Sequence, residues 1–582
     1  MLVMASAIGI VILACLAQTD GKFTYALDDP YIHLGIAKNF ALHGIWGVTQ
    51  YGNTSASSSP LWTGLLAVFI RVGGDHQLWP LILGVLFSAI AGLFLLDRFV
   101  AFGMNPWISL AASSLIFLAG PLHVLPVSGM EHSLQILLDL LFLFWLVDVL
   151  DRETSRKDLI IGVLLPALMC LDRYESFFLV MVPVAVCLFK RRWNLAAMLA
   201  LGPVLGVGGF AAFSHLLGMP SIPNSIMIKG NLPKTGAADF VGNILWRIKA
   251  LVQSETLTLS DLLILAVFSA WVLRLKAIRS ETTAVRTAIW TAVGACVVHA
   301  SLASFGWFFR YEAYLVVLLA TVNVLAWWKM LAFRGAIEER IVSKAIWMSV
   351  VFGVCAVMVI LSRFMTFLQI HENLIKVVVF FGFAALAALD RGTNSAGRLA
   401  RTVLIWMMPL SFVLIVQDRH LLALDQAPKA CSDIYLQQFQ MSRFVRRFYP
   451  QGRVAVNDIG AVTYFSHAHL LDLYGLATDE ICRQKLKREF GTPSIKRLMD
   501  GFKPELIMAY PNWFTGGQKL PPDLIPVATW TIPPITSAGG AVVEFYAYTP
   551  PDAVRIARQL HEFQSSLPKR VTVEYLKPGT KV

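Results

Sequence analysis

Apolar runs close to the length of a bilayer crossing recur along the first 416 residues, and no other feature limits the fold as strongly. About 20 mostly apolar residues in a helix cross the hydrocarbon core of a membrane. Candidate runs lie at 2–17, 78–97, 107–127, 132–150, 158–171, 176–189, 194–217, 260–273, 287–306, 311–328, 345–361, 373–389 and 402–416. Hydrophobic residue types make up 56% of the 582 residues and charged types only 15%, a balance foreign to water-soluble domains. The expected fold is a polytopic α-helical membrane protein of about thirteen spans, with residues 1–416 as the membrane module and 18–77 as its first extracytoplasmic loop. Run 2–17 has no Lys or Arg before it and no clear cleavage site after it, so it reads as a retained helix.

Net charge is +12, but the basic residues fall between apolar runs instead of forming a patch with aromatic platforms, so no nucleic-acid partner is expected. Every second loop is basic, from Arg98 and Arg152 through Lys190, Arg274 and Lys329 to Arg391. The positive-inside rule makes these loops cytoplasmic, which places the N-terminus inside and everything beyond residue 416 outside. The expected location is the inner membrane of a bacterium, with membrane lipid as an obligatory partner. Five of the seven cysteines lie in or beside apolar runs without CxxC spacing, so no metal cluster is inferred. Cys431 and Cys482 are expected to form a disulfide in the oxidising compartment.

The opposite loops hold nearly all the unusual polar sequence. Directly after the first run comes Leu27-Asp28-Asp29-Pro30-Tyr31-Ile32-His33, opening an amphipathic helix that ends at Gly44. Asp29 is read as the N-cap before Pro30, which leaves Asp28 unexplained, because one cap suffices. The stretch Asn53–Ser59 reads as a mobile loop before Pro60. Further outer segments are Ser128-Gly129-Met130-Glu131, Asp172-Arg173-Tyr174-Glu175, Pro223-Asn224-Ser225 with Lys229, and Arg310-Tyr311.

Taken in order, these segments resemble the motifs of GT-C class glycosyltransferases, including the actinobacterial arabinofuranosyltransferases. Asp28-Asp29-Pro30-Tyr31-Ile32 resembles the family's Asp-Asp-Ala-Tyr-Ile, with Pro30 where Ala is usual. Asn457-Asp458-Ile459-Gly460-Ala461 and Asp472-Leu473-Tyr474-Gly475-Leu476 resemble its C-terminal segment. The resemblance implies transfer of a sugar, such as the pentose arabinofuranose, from a polyprenyl-phosphate carrier to an envelope glycan, lipid or protein acceptor.

Such a transfer needs a base for the attacking hydroxyl and cations for the departing phosphate. Asp28 is read as the base and Asp29 as its orienting or acceptor-binding neighbour, although the reverse assignment fits the same residues. Arg310, Lys229 and Arg173 are the candidate phosphate partners. Each has a plainer reading: Lys229 as a snorkelling residue and Arg173 as the ion-pair partner of Asp172 or Glu175. Glu131, Asn224, His33 and Tyr311 complete the substrate-binding set, with Glu131 also read as a helix cap. No cofactor is assigned. A divalent metal held by His33 with the two aspartates stays open, because two carboxylates and a histidine are too common to establish a site.

Beyond residue 417 the composition becomes that of a soluble α/β domain, expected outside the membrane. Strands are expected at 453–458, 461–466, 505–510, 524–531 and 541–549, in a parallel sheet. Two rival functions use the same features, a lipid-carrier flippase or transporter and a non-catalytic envelope assembly protein. Transporters place ionisable residues near mid-membrane, and Asp139 is the main candidate of that kind.

Overall fold

The computed structural model describes residues 2–229, 256–273, 283–334 and 395–576. Helix α1 (Leu2–Gln18) leads through a short extended segment to α2 (Asp29–His43) and α3 (Pro60–Gly73). There follow α4 (Trp79–Ala101), α5 (Pro106–Ala119), the short α6 (Leu125–Ser128), α7 (His132–Val149), α8 (Arg156–Asp172), α9 (Phe177–Phe189), α10 (Trp193–Leu216) and α11 (Asn224–Lys229). The bundle continues with α12 (Thr256–Val272), α13 (Thr283–Leu302), α14 (Ala313–Arg334) and α15 (Ser395–Leu436). Five described helices are long and apolar enough to cross a membrane: Trp79–Ala101, His132–Val149, Trp193–Leu216, Ala284–Leu302 and Ala313–Met330. Expected runs 345–361 and 373–389 fall outside the described residues, so the count of about thirteen stands as a sequence expectation. These helices and the apolar composition describe a multi-pass helical membrane protein.

Helix α2 lies between α3 and the soluble domain, with Pro30–Ala37 buried along its whole circumference. Burial on all sides departs from the surface-lying amphipathic helix expected from its sequence. The stretch before α3 is packed as well. Ser55, Ser57 and Ser59 are buried, and Ser59 caps α3 by accepting from Trp62 N.

Helix α15 carries the chain out of the bundle into the C-terminal domain, where α16 (Gln438–Phe448) follows at once. The sheet has strand order β2-β1-β3-β5-β4-β6, with β1 (Arg453–Val456), β2 (His469–Asp472), β3 (Leu506–Ala509), β4 (Ile525–Thr531), β5 (Val542–Ala547) and β6 (Thr572–Tyr575). Only β2-β1-β3 is parallel, and the remaining pairings are antiparallel. The expectation of a parallel sheet thus holds for half of it. Alternating side chains reach opposite faces. Val454 and Val456 join a core with Phe444, Trp530 and Phe563, whereas Ala455 faces Ile481, Ile495 and Met499. These last three lie on α18 (Asp479–Lys487) and α19 (Thr492–Phe502), after the short α17 (Gly460–Phe465), and α20 (Pro550–Gln564) covers the first face.

Two expectations for this domain are corrected. Residues 461–466 read as a strand from their β-branched and aromatic content, but they belong to helix α17, which packs on α2 with Tyr464 and Phe465 against Tyr31. Cys431 and Cys482 are both free buried thiols. Cys431 belongs to a cluster with Val11 and Cys15 of α1, while Cys482 sits on α18 beside Gly475, outside that cluster.

Candidate active site

The short segment before α2 sends its two consecutive carboxylates to different parts of the molecule. Neither caps the helix: Asp28 holds the N-cap position without a side-chain cap bond, and Asp29 turns away, which corrects its expected capping role. The Asp28 carboxylate accepts from the backbone N–H groups of Gly460 and, at 2.8 Å, of Ala461. These are the free donors at the start of α17, a natural seat for an anion. A Cβ at Gly460 would stand 2.1 Å from the Asp28 carbonyl oxygen, so only glycine permits the approach. Burial, then the neighbouring Asp458 carboxylate, pushes Asp28 well above the usual carboxylate range. Asp458 in turn accepts from Gln438 Nε2 at 2.8 Å and Tyr510 OH at 3.0 Å.

Asp29 meets cations. Its Oδ2 accepts from Arg310 Nη2 at 2.7 Å and its Oδ1 from Lys229 Nζ at 3.2 Å. Burial opposes its charge, but Lys229 and Arg310 outweigh that effect and hold the carboxyl below its ordinary range. Arg310 is 2% exposed in its side chain, lies 4.8 Å from the Tyr311 ring centre, and donates to Tyr311 OH at 3.0 Å. Its Nε and Nη1 are buried with no partner among the described residues. A buried guanidinium with open donors is a costly arrangement unless an anion uses them.

The loop carrying Arg310 is left-handed at Gly306, Trp307, Phe308 and Phe309, a conformation unfavourable for non-glycine residues by about 1–2 kcal/mol each. It is closed from behind by Glu312, whose Oε2 accepts from Gly306 N at 2.9 Å. Glu312 Oε1 takes a bond of 3.2 Å from Arg419 Nη2, both side chains being buried, and Arg419 Nε donates to Ala119 O at 2.9 Å. Glu312 and Arg419 were absent from the sequence-based candidates. Arg419 sits in the polar stretch Gln417-Asp418-Arg419-His420 just past an apolar run, and only the buried acid opposite it marks it as structural.

Arg173 is enclosed by acids, donating to Glu131 Oε1 at 2.8 Å and to both oxygens of Glu175. Glu131 makes no cap bond, and its Oε2 lies 4.0 Å from His33 Nε2. The other His33 nitrogen is 2.8 Å from Thr63 Oγ1, and burial lowers its proton affinity. His33 thus joins the Glu131 side of the site, whereas Asp28 and Asp29 bond to other partners. Among the described residues no group of three His, Cys, Asp or Glu is placed to hold a metal. Asn224 donates to Leu476 O at 3.1 Å and Asp479 Oδ1 at 2.7 Å, tying α11 to the soluble domain.

Two cavities meet at the Asp29–Lys229–Arg310 cluster. One, of about 310 Å³, runs between the helices and is lined by Phe178, Val207, Ile226 and Leu302 besides the charged cluster. The other, of about 490 Å³, opens toward the soluble domain past Asp28, Asp458, Tyr474 and Trp513. Asp29, Lys229, Ser304, Arg310, Tyr311 and Leu476 border both.

The model of a family described as a domain of unknown function (DUF8728) matches residues 432–546. No curated protein matches the chain. Among solved structures the chain is similar to ArnT from Cupriavidus metallidurans in the apo state, with 13% identity over 94% of this chain and 98% of that one and a TM-score of 0.49. It is also similar to ArnT from the same organism bound to undecaprenyl phosphate, with 14% identity over 94% of this chain and 98% of that one and a TM-score of 0.50. The second likeness, at this identity, is one of overall fold.

Proposed function

We propose that the chain is a glycosyltransferase that moves a sugar from a polyprenyl-phosphate carrier to an acceptor hydroxyl on the outer face of a bacterial inner membrane. The observation that carries this reading is Arg310. Its two open buried donors stand beside Lys229, at the junction of an apolar cavity among the helices and a polar one under the soluble domain. A lipid-linked phosphate needs that pairing, with apolar walls for its chain and fixed cations for its charge. The GT-C resemblance of the motifs and the fold shared with ArnT, solved bound to undecaprenyl phosphate, agree with it.

In the proposed reaction the acceptor oxygen attacks the anomeric carbon while the bond from that carbon to the phosphate oxygen breaks. The electron pair leaves with the carrier phosphate, and Arg310 and Lys229 neutralise the developing charge. Asp29 holds both cations in place. Asp28 takes the hydroxyl proton from the side of the polar cavity, and a single displacement inverts the anomeric centre. A pentose such as arabinofuranose is the sugar that the resemblance to the arabinofuranosyltransferases suggests, and the motif residues do not themselves name it.

The test is a reconstituted membrane assay combined with mass spectrometry of envelope glycans, glycolipids and surface proteins with and without the protein. One species should lose one sugar when the protein is absent, and an unchanged set of species would refute the reading. The pH profile tests the base separately. Because Asp28 must be ionised to act and its proton affinity is raised, the rate should climb with pH through an inflection above about 4, the ordinary carboxylate value. A profile flat from acid to neutral pH would remove Asp28 from that role.

A further inference from the structure

A third large cavity, of about 500 Å³, is bordered by Phe439, Ser442, Arg443, Arg446 and Arg447 of α16, none of which lines the two cavities of the catalytic cluster. Lys22, Arg443, Arg446 and Arg447 line it together with Phe439, Phe465 and Phe563, and among the described residues no carboxylate does. Arg447 pairs with Glu562, and Arg443 donates to Gln440 Oε1 at 2.6 Å. The exposed side chains of Lys22 and Arg446 bond to no other described residue. With Arg447 compensated by Glu562, the Lys22, Arg443 and Arg446 charges around one hollow still repel one another and form a seat for an anion.

Its position specifies the kind of anion. Lys22 follows the end of α1 at Gln18, and Gln77, another wall residue, precedes α4 at Trp79, so the cavity opens where two helices leave the apolar zone. Those same helices expose Ile10, Leu13, Ile82 and Leu86, which gives acyl chains an apolar surface to lie on. Cations at the boundary with apolar residues below are the pattern that holds an acidic headgroup and its tails together.

We propose that this groove binds the phosphate headgroup of an anionic phospholipid from the leaflet facing the soluble domain. The lipid bridges Lys22 of the membrane module and Arg446 of the soluble domain. It also reaches the frame of the active site, since α17 begins at the Gly460 and Ala461 donors of Asp28 and ends at Phe465 in the groove. The inference does not depend on the proposed reaction.

Native mass spectrometry of the full-length protein tests it directly, using detergent micelles that carry either phosphatidylglycerol or phosphatidylcholine. The wild type should retain phosphatidylglycerol preferentially. The double variant Lys22→Gln/Arg446→Gln should lose that preference by roughly thirtyfold, the weight expected of two cations near a lipid phosphate at about 1 kcal/mol each. Both side chains are exposed, and an unchanged melting temperature in phosphatidylcholine confirms that the variant is folded. Equal retention of the two lipids, or a preference untouched by the double variant, overturns the proposal. Displacement of phosphatidylglycerol by millimolar inorganic phosphate would also overturn it, because the groove would then be a seat for a soluble anion.

Discussion

Asp28 and Asp29 are neighbours in sequence, yet the soluble domain holds one and the membrane bundle holds the other. On the soluble side the carboxylate is met by backbone N–H groups and a second acid, and its proton affinity rises. On the bundle side two side-chain cations meet it, and its proton affinity falls. One peptide unit therefore separates a carboxyl whose proton affinity is raised by burial and a second acid from one whose proton affinity is lowered by two cations. The difference comes from tertiary partners, since the two residues are chemically identical.

Removing the cation on the bundle side should have the largest effect. Arg310→Gln is expected to lower the transfer rate by about 100–1,000-fold, the usual cost of one fixed charge-stabilising donor. Arg310→Lys should recover only part of it, because Lys lacks the planar fork. Measured with varied carrier and varied acceptor, the loss should fall mainly on carrier use. Equal loss for both would mean that Arg310 serves folding and would erase the contrast between the two sides.

The support behind Arg310 comes next. Glu312→Gln leaves the Arg419 charge buried without its counter-ion, which should destabilise the protein by about 3 kcal/mol, read as a fall in thermal midpoint. Glu312→Asp should restore part of both the midpoint and the carrier KM. A full recovery of stability with carrier KM still raised would show that the pair positions the Arg310 loop in addition to holding the fold.

On the soluble side, Gly460→Ala inserts a methyl group where the Asp28 backbone already stands. A cost of about 2 kcal/mol is expected for such overpacking, with faster proteolytic cleavage between α15 and β1. Asp28→Asn acts on the same contact, because an amide nitrogen would face the N–H groups of α17. The sequence offered no reason to expect a folding effect from that variant, whereas the structure requires one. The smallest effect should come from Asn224→Ala, about 1 kcal/mol for its bonds to Leu476 and Asp479, with catalysis nearly intact. A large loss of rate would instead put Asn224 on the substrate.

Much of the membrane module was legible because bilayer crossing depends on a local quantity, the length of an apolar run. Most described helices follow those runs, with Pro60–Gly73 an apolar helix inside the expected loop 18–77, and the segments carrying Asp28, Glu131, Arg173, Lys229 and Arg310 do converge in space. The strand expected at 461–466 failed because its β-branched pattern was outweighed by contacts that sequence does not contain, the Asp28 carboxylate at its start and Tyr31 along its side.

The sequence by itself determined that the chain is a multi-pass helical protein with a separate α/β domain at its end, because periodicity and composition report which solvent each segment meets. It also marked Asp29, Lys229 and Arg310, which border both cavities. Tertiary structure alone decided their partners. It gave Arg173 to Glu131 and Glu175, left Arg310 with open donors, and set Asp28 and Asp29 in opposite fields. The physical reason is that a charge's behaviour is fixed by groups within a few ångströms, and here those groups come from residues as far away as Arg310 and Gly460.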